Sequence, residues 1–222
     1  MERHFERELE SLKTMLIKMG SVVEENVDKA LRALVDENST LADSVIESDD
    51  RVNSLEIEID NAVIDILALH QPVASDLRMI IAAQKINNDL ERIGDHAVNI
   101  AESVLTLGRT DVKEPLLEIP RMAVVTKAML RQALDSFILL DPKLARAVLE
   151  RDDQIDNLNR EMTKAVIEII KNDTAMIEGA MQLVRVSRNL ERVADLATNI
   201  AEEVIFLTQA RVVKHHAENP AR

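Results

Sequence analysis

Two carboxylates one helical turn apart, Glu91 and Asp95, stand in a stretch that occurs twice in this 222-residue chain. The first copy runs Ile86-Asn87-Asn88-Asp89-Leu90-Glu91-Arg92-Ile93-Gly94-Asp95-His96-Ala97-Val98-Asn99-Ile100-Ala101-Glu102, and the second runs from Val186 to Glu202 with Glu191, Arg192, Asp195, Asn199 and Glu202 at the matching places. Like charges at i and i+4 on a helix lie about 5–6 Å apart and repel. A cation between them reverses that penalty, so the chemistry this spacing suggests is binding of a hard metal ion by oxygen ligands. The alternative is a solvated acidic face.

One helix cannot supply the six or more oxygens such an ion takes, so the remaining ligands must come from a neighbour. If Pro72 marks a hairpin turn, Asn53 lies 19 residues before it and Glu91 19 after, while Asp49 and Asp95 lie 23 before and 23 after. Antiparallel helices of equal rise bring such positions to the same height. Around Asp173 the same count relates Asp152 and Asp156 to Asp195 and Glu191. Two related surface sites are therefore expected: Asp49, Asp50, Asn53, Glu91, Asp95 and Asn99 in one, and Asp152, Asp153, Asp156, Glu191, Asp195 and Asn199 in the other. The ligand type favours Fe, Mg, Mn or Ca without choosing among them.

The elements that must position these residues are helices. Phe5, Leu9, Leu12, Leu16, Met19, Val23, Val27, Ala30 and Leu34 recur in steps of three and four and predict a first helix to about Glu37. Asn38-Ser39-Thr40 reads as a stop and restart with Thr40 as N-cap. A second helix runs to His70, where Pro72 ends it, and a third runs from Ala74 or Ser75 to Leu107. Gly108-Arg109-Thr110-Asp111, Pro115 and Pro120 mark a connection. A fourth helix is expected over about 120–140, a fifth from the Asp141-Pro142 start to about Lys171, and a sixth from 172–174 to about Arg211.

The halves align at an offset of 103 from Leu41/Leu144 to Ile64/Ile167 and at 100 in the motif, so the second middle turn is three residues shorter. The fold expected is all-α: two tandem, sequence-related three-helix bundles, six long antiparallel helices, with residues 1–110 and 115–211 as the two units and 212–222 as a tail.

Composition bounds the function. There are 27 basic and 40 acidic residues, a net charge of −13, which disfavours nucleic acid and anionic lipid as direct partners. No cysteine is present, there is no Trp or Tyr, and three Phe leave the core aliphatic. The charged N-terminus and the lack of a long apolar run predict a soluble, cytoplasmic protein. No histidine has Glu three residues before it, as di-iron bundle enzymes require, and no phosphate loop or nucleophile constellation is evident, so no catalytic activity is expected. Arg92 and Arg192 could hold an anion or a partner carboxylate, or form salt bridges. His96, replaced by Leu196 in the second copy, reads as structural, and His215 and His216 as part of a solvated tail.

The turn Pro72-Val73-Ala74-Ser75-Asp76-Leu77-Arg78, together with Glu91-Arg92-Ile93-Gly94-Asp95-His96-Ala97-Val98-Asn99-Ile100-Ala101-Glu102 and its second copy, resembles the PhoU family of bacterial phosphate-transport accessory and regulatory proteins. The resemblance extends over nearly the whole chain, although Asp173-Thr174-Ala175-Met176 replaces the proline turn in the second half and Asn53 stands where the second half has Asp156, which leaves the first site with one carboxylate fewer and makes it the weaker metal binder expected of the two. It implies two three-helix bundles, dimerisation to a homodimer, and multinuclear metal sites at Glu91/Asp95 and Glu191/Asp195. It implies further a negative regulator of the phosphate-starvation response, linking the ATPase subunit of a phosphate-specific ABC transporter to a sensor histidine kinase and reaching the membrane only through them. A helical adaptor with merely solubilising acidic faces, a metal buffer and a metal-dependent hydrolase are the alternatives.

Overall fold

A computed structural model describes residues 2–108 and 118–210. The connection at 109–117, with Arg109, Thr110, Asp111 and Pro115, lies outside the described residues, as do Arg211, the tail and its His215 and His216.

The first half comprises α1 (Glu2–Val35), α2 (Ser39–Leu69) and α3 (Ala74–Leu107), and the second α4 (Ile119–Leu139), α5 (Pro142–Leu149), α6 (Asp152–Asn172) and α7 (Ile177–Gln209), the last preceded by a 3-10 turn over Thr174–Met176. The fold is the expected pair of three-helix bundles, with α5 and α6 sharing the course of the fifth helix. Each half buries the stripes that define its helices: Leu12, Leu16, Met19, Val23, Val27, Ala30 and Leu34 on α1 are all in the core. The core is aliphatic, and Phe137 is the one large aromatic side chain among its fully or nearly fully buried members.

The turn after the first helix is repeated in kind. Glu37 (φ 50°) and Leu140 (φ 49°), 103 residues apart, both take the left-handed conformation. The next residue's N–H bonds back five residues, Asn38 to the Ala33 carbonyl at 2.9 Å and Asp141 to the Ser136 carbonyl at 3.0 Å, the closing bond of a Schellman motif. The same residue then caps the following helix: Asn38 Oδ1 accepts from Leu41 N at 3.0 Å and Asp141 Oδ1 from Lys143 N at 2.8 Å. The N-cap is thus Asn38 and not Thr40. Once Glu37 reverses the chain, Asn38 is the first extended residue whose side chain reaches the new helix.

The continuous fifth helix is the other correction. The helix breaks at Glu150–Arg151, where Arg151 N bonds the Val148 carbonyl and Gln154 N the Arg151 carbonyl, each at 3.0 Å. No Gly or Pro signals it. The break puts Asp152 and Asp153 in the first turn of α6, where the helix dipole favours carboxylates. Their counterparts Asp49 and Asp50 lie well inside α2.

The halves meet through α3 against α7 and α1 against α4, so these four helices form a central layer flanked by α2 on one side and α5–α6 on the other. At the α1–α4 contact Gly20 admits Leu134: a Cβ there would lie 2.8 Å from Leu134 Cδ2. The α3–α7 contact is unusually polar. Lys85 Nζ bonds Glu203 Oε1 at 2.7 Å, His96 Nδ1 donates to Asn189 Oδ1 at 2.8 Å, and Arg185 Nη2 donates to Asn99 Oδ1 at 2.8 Å and Glu102 Oε2 at 2.6 Å. His96 is accordingly a packing residue, and burial pushes its pKa down.

Asp89 is buried in the same seam. Burial pushes its carboxyl up to about 6, against the hydrogen bond from Asn199 and the charges of Arg92 and Lys85, with Glu203 adding to the rise. Its second-half counterpart is the neutral Asn189.

Two stability predictions follow from these features. Glu37→Gly relieves a left-handed residue and should raise unfolding free energy by about 1 kcal/mol in denaturant titration. A carboxyl raised on folding favours the fold below its unfolded pKa and loses that contribution as pH rises through its folded value. In protein kept in chelator, Asp89→Asn should therefore stabilise at pH 7–8, by about 1–3 kcal/mol, and flatten the loss of stability between about pH 4 and 6. A variant that is less stable at pH 8 would contradict this.

Candidate metal centres

The third helix places Glu91 and Asp95 toward α2, and the α2 stripe Asp49, Asn53, Glu56 and Asp60 runs opposite them. Asn53 Nδ2 donates to Asp49 Oδ2 at 3.0 Å, leaving Asp49 Oδ1 buried with no hydrogen-bond partner. It is close to Gly94, where an added Cβ would stand 3.2 Å from Val52 Cγ1 and 3.7 Å from Asp49 Oδ1. The missing side chain lets α2 approach α3 at the height of the motif.

The carboxylates act on one another. Asp49 is raised above the ordinary carboxylate range by burial and by the charges of Asp95 and Asp50, despite the hydrogen bond from Asn53. Burial and the charges of Asp95, Glu56 and Asp49 raise Glu91, and burial with Asp60 and Asp95 raises Glu56. The pairing of Asp49 with Asp95 inferred by counting through Pro72 is thus present in space. Asp50 is exposed on the outer side of α2, and its charge reaches the site through Asp49.

The second groove, between α6 and α7, has the same plan. Asp195 is raised by burial and by Asp152 and Asp156, against the lowering effect of Arg192. Arg192 Nη1 bonds Asp195 Oδ2 at 3.2 Å within the helix, the salt-bridge alternative for this residue. Asn159 Nδ2 donates to Glu191 Oε2 at 2.7 Å and is itself fixed by Ser187 Oγ at 2.5 Å. Asp153 is exposed.

Two expected ligands face elsewhere. Asn99 accepts from Arg185 of the other half, and Asn199 bonds Asp89. The polar stripe of α3 is therefore divided: its N-terminal part faces α2, whereas Asn99 and Glu102 meet α7.

Glu56 and Asn159 differ in identity and so escape a comparison of the repeats by identity, although they match at the offset of 103 and extend the Asp49/Asn53 and Asp152/Asp156 spacing by one turn. Including them changes the balance. Asn53 with Glu56 in the first half answers Asp156 with Asn159 in the second, so Asp49, Asn53, Glu56, Glu91 and Asp95 match Asp152, Asp156, Asn159, Glu191 and Asp195 in carboxylate number, while Asp60, one turn further along α2, is answered by the neutral Thr163. The first groove is not poorer in charge. Among the described residues no three carboxylate or imidazole side chains stand ready to hold one ion. The set can supply oxygen ligands and a negative field, and it has no sulfur donor.

The sequence matches the model of the PhoU domain twice, over residues 16–104 and 119–204. It is 41% identical over 209 residues to a phosphate-specific transport system accessory protein PhoU homologue of Aquifex aeolicus, covering 94% of this chain and 95% of that one. A Thermotoga maritima protein described as homologue 1 of the same accessory protein is 38% identical, with 95% and 91% covered. Among solved structures, PhoU from Pseudomonas aeruginosa superposes with a TM-score of 0.91 at 36% identity, over 93% of this chain and all of that one. The phosphate transport system regulatory protein PhoU from Streptococcus pneumoniae gives 0.87 at 31% identity, with 95% and 99% covered. With a duplicated domain match, relatives alike over nearly their full length and the same helical architecture, the chain belongs to the PhoU family.

Proposed function

We propose that this protein is a non-enzymatic regulator of phosphate uptake, acting as a negative regulator of the phosphate-starvation response and using its two acidic grooves to bind metal ions. The observation that carries the reading is near-full-length similarity at 41% identity to a protein described as an accessory of the phosphate-specific transport system. Its partners are the ATPase subunit of that transporter and a sensor histidine kinase, which it meets from the cytoplasmic side as a homodimer. Among the described residues no helix is long and apolar enough to cross a membrane, so attachment runs through those partners.

The metal reading draws on the grooves. Carboxylates line facing helices at matching heights in both halves, burial and neighbouring carboxylates raise Asp49, Glu91 and Asp195, and Asp49 Oδ1 is buried without a donor. A hard cation would relieve both costs. Asp49, Glu56, Glu91 and Asp95 would hold it in the first groove, and Asp152, Asp156, Glu191 and Asp195 in the second. Fe, Mn, Mg and Ca all suit these donors.

The docking reading draws on the hairpin ends. Ile64, Leu77 and Ile81 at one end and Ile167, Ile177 and Met181 at the other are exposed at equivalent positions. Apolar side chains exposed at equivalent places in both halves suit the apolar surface of a partner.

If the grooves bind metal, Mn²⁺ added to the chelated protein at pH 7 should raise its melting temperature, and the rise should vanish in the Asp95→Asn, Asp195→Asn double variant. An equal rise in wild type and variant would remove the grooves as sites. For the regulatory role, pull-downs against the transporter ATPase and the sensor kinase, with and without chelator, should recover at least one partner in a metal-dependent way. Binding indifferent to chelator would favour a plain helical adaptor, and no binding in any metal state would overturn the role.

A further inference from the structure

We propose that the cleft between the C-terminal part of α3 and the N-terminal part of α7 binds a small organic anion, an oxyanion group carried on an apolar body. The cleft has a volume of about 350 Å³ and is lined by Asn99, Met181, Val184, Arg185, Arg188 and Asn189. That is the lower end of the range for small-molecule sites.

Hydrogen-bond accounting fixes the sign of the ligand. The Asn99 and Asn189 side-chain oxygens already accept from Arg185 and His96. Asn189 Nδ2 also donates to the Arg185 carbonyl at 2.8 Å, so the donors left in the lining are the Asn99 amide, one N–H of Asn189 and the guanidinium groups of Arg185 and Arg188. Donors thus outnumber free acceptors in the lining, which suits a carboxylate or phosphate oxygen. Glu102 neutralises Arg185 and orients it through the 2.6 Å bond, so Arg188 supplies the uncompensated charge. Met181 and Val184 supply apolar surface for the body of the ligand.

The duplication provides an internal comparison. The positions that match this cleft in the other half are Asn199, Ile81, Gln84, Lys85, Asn88 and Asp89. Arginine at 188 is answered by an amide at 88, and the amide at 189 by a carboxylate at 89, so the matching place is more negative by two charges. A chain of net charge −13 has thus kept a cationic lining at one of two equivalent positions. Because Asn99 belongs to the first half and Arg188 to the second, a ligand here touches both halves and favours their packed state by mass action.

The test uses the full-length protein in chelator, with methyl-labelled methionine and NMR detection of the Met181 methyl resonance, assigned by Met181→Leu. Phenyl phosphate and benzoate should shift that resonance saturably, and inorganic phosphate, which has no apolar body, should bind more weakly than phenyl phosphate. Arg188→Gln should weaken both organic anions about tenfold or more, whereas Arg121→Gln, at an exposed arginine on α4, should not. Three results would each overturn the proposal: no saturable shift with either organic anion up to about 10 mM, unchanged affinity in Arg188→Gln, or inorganic phosphate binding as tightly as phenyl phosphate.

Discussion

Packing α3 against α7 buries two copies of one motif on each other, and this antiparallel seam decides the facing of every other side chain on both helices. Ile93, Ala97 and Ile100, with Val193, Ala197 and Ile200, fill the core. Asn99, Glu102 and His96 are taken by residues of the opposite copy. Glu91 and Asp95, and likewise Glu191 and Asp195, are left with one neighbour each, α2 or α6. The seam thus sends the acidic residues to two outer grooves and tolerates buried polar groups such as Asp89 because partners meet most of them.

In the grooves the governing quantity is charge density. In the first groove burial and the neighbouring carboxylates raise Asp49, Glu56 and Glu91, and the nearby Arg92 offsets this at Glu91 only in part. The exchange of Asn53 and Glu56 for Asp156 and Asn159 keeps the carboxylate number equal while moving one charge by a turn. The exchange keeps a carboxylate beside the Glu91/Asp95 or Glu191/Asp195 pair in both halves, whereas Asp60, farther along α2, is matched by Thr163. The helix break before Asp152 adds a difference: a helix N-terminus supports the second groove's carboxylates, whereas Asp49 relies on Asn53 alone.

Much of this was legible in the sequence. Periodicity placed the helices, the two offsets placed the repeats, and counting residues out from Pro72 paired Asp49 with Asp95. What escaped had physical causes. The break at Glu150–Arg151 lacks Gly or Pro because a single tightened turn needs neither. The sequence points to Thr40 rather than Asn38 as N-cap because no glycine announces the left-handed residue at Glu37. Asn99 and Asn199 looked like ligands because a helical wheel shows which face a residue shares but not which neighbouring helix covers that face. Glu56 was missed because identity between repeats hides a compensating exchange.

The central claim, that the two grooves are equivalent cation sites, is tested most directly by anomalous diffraction from crystals equilibrated with Mn²⁺. It predicts peaks in both grooves, one bounded by Asp49, Glu56, Glu91 and Asp95 and the other by Asp152, Asp156, Glu191 and Asp195. Manganese found only elsewhere on the protein, or in neither groove, would contradict it.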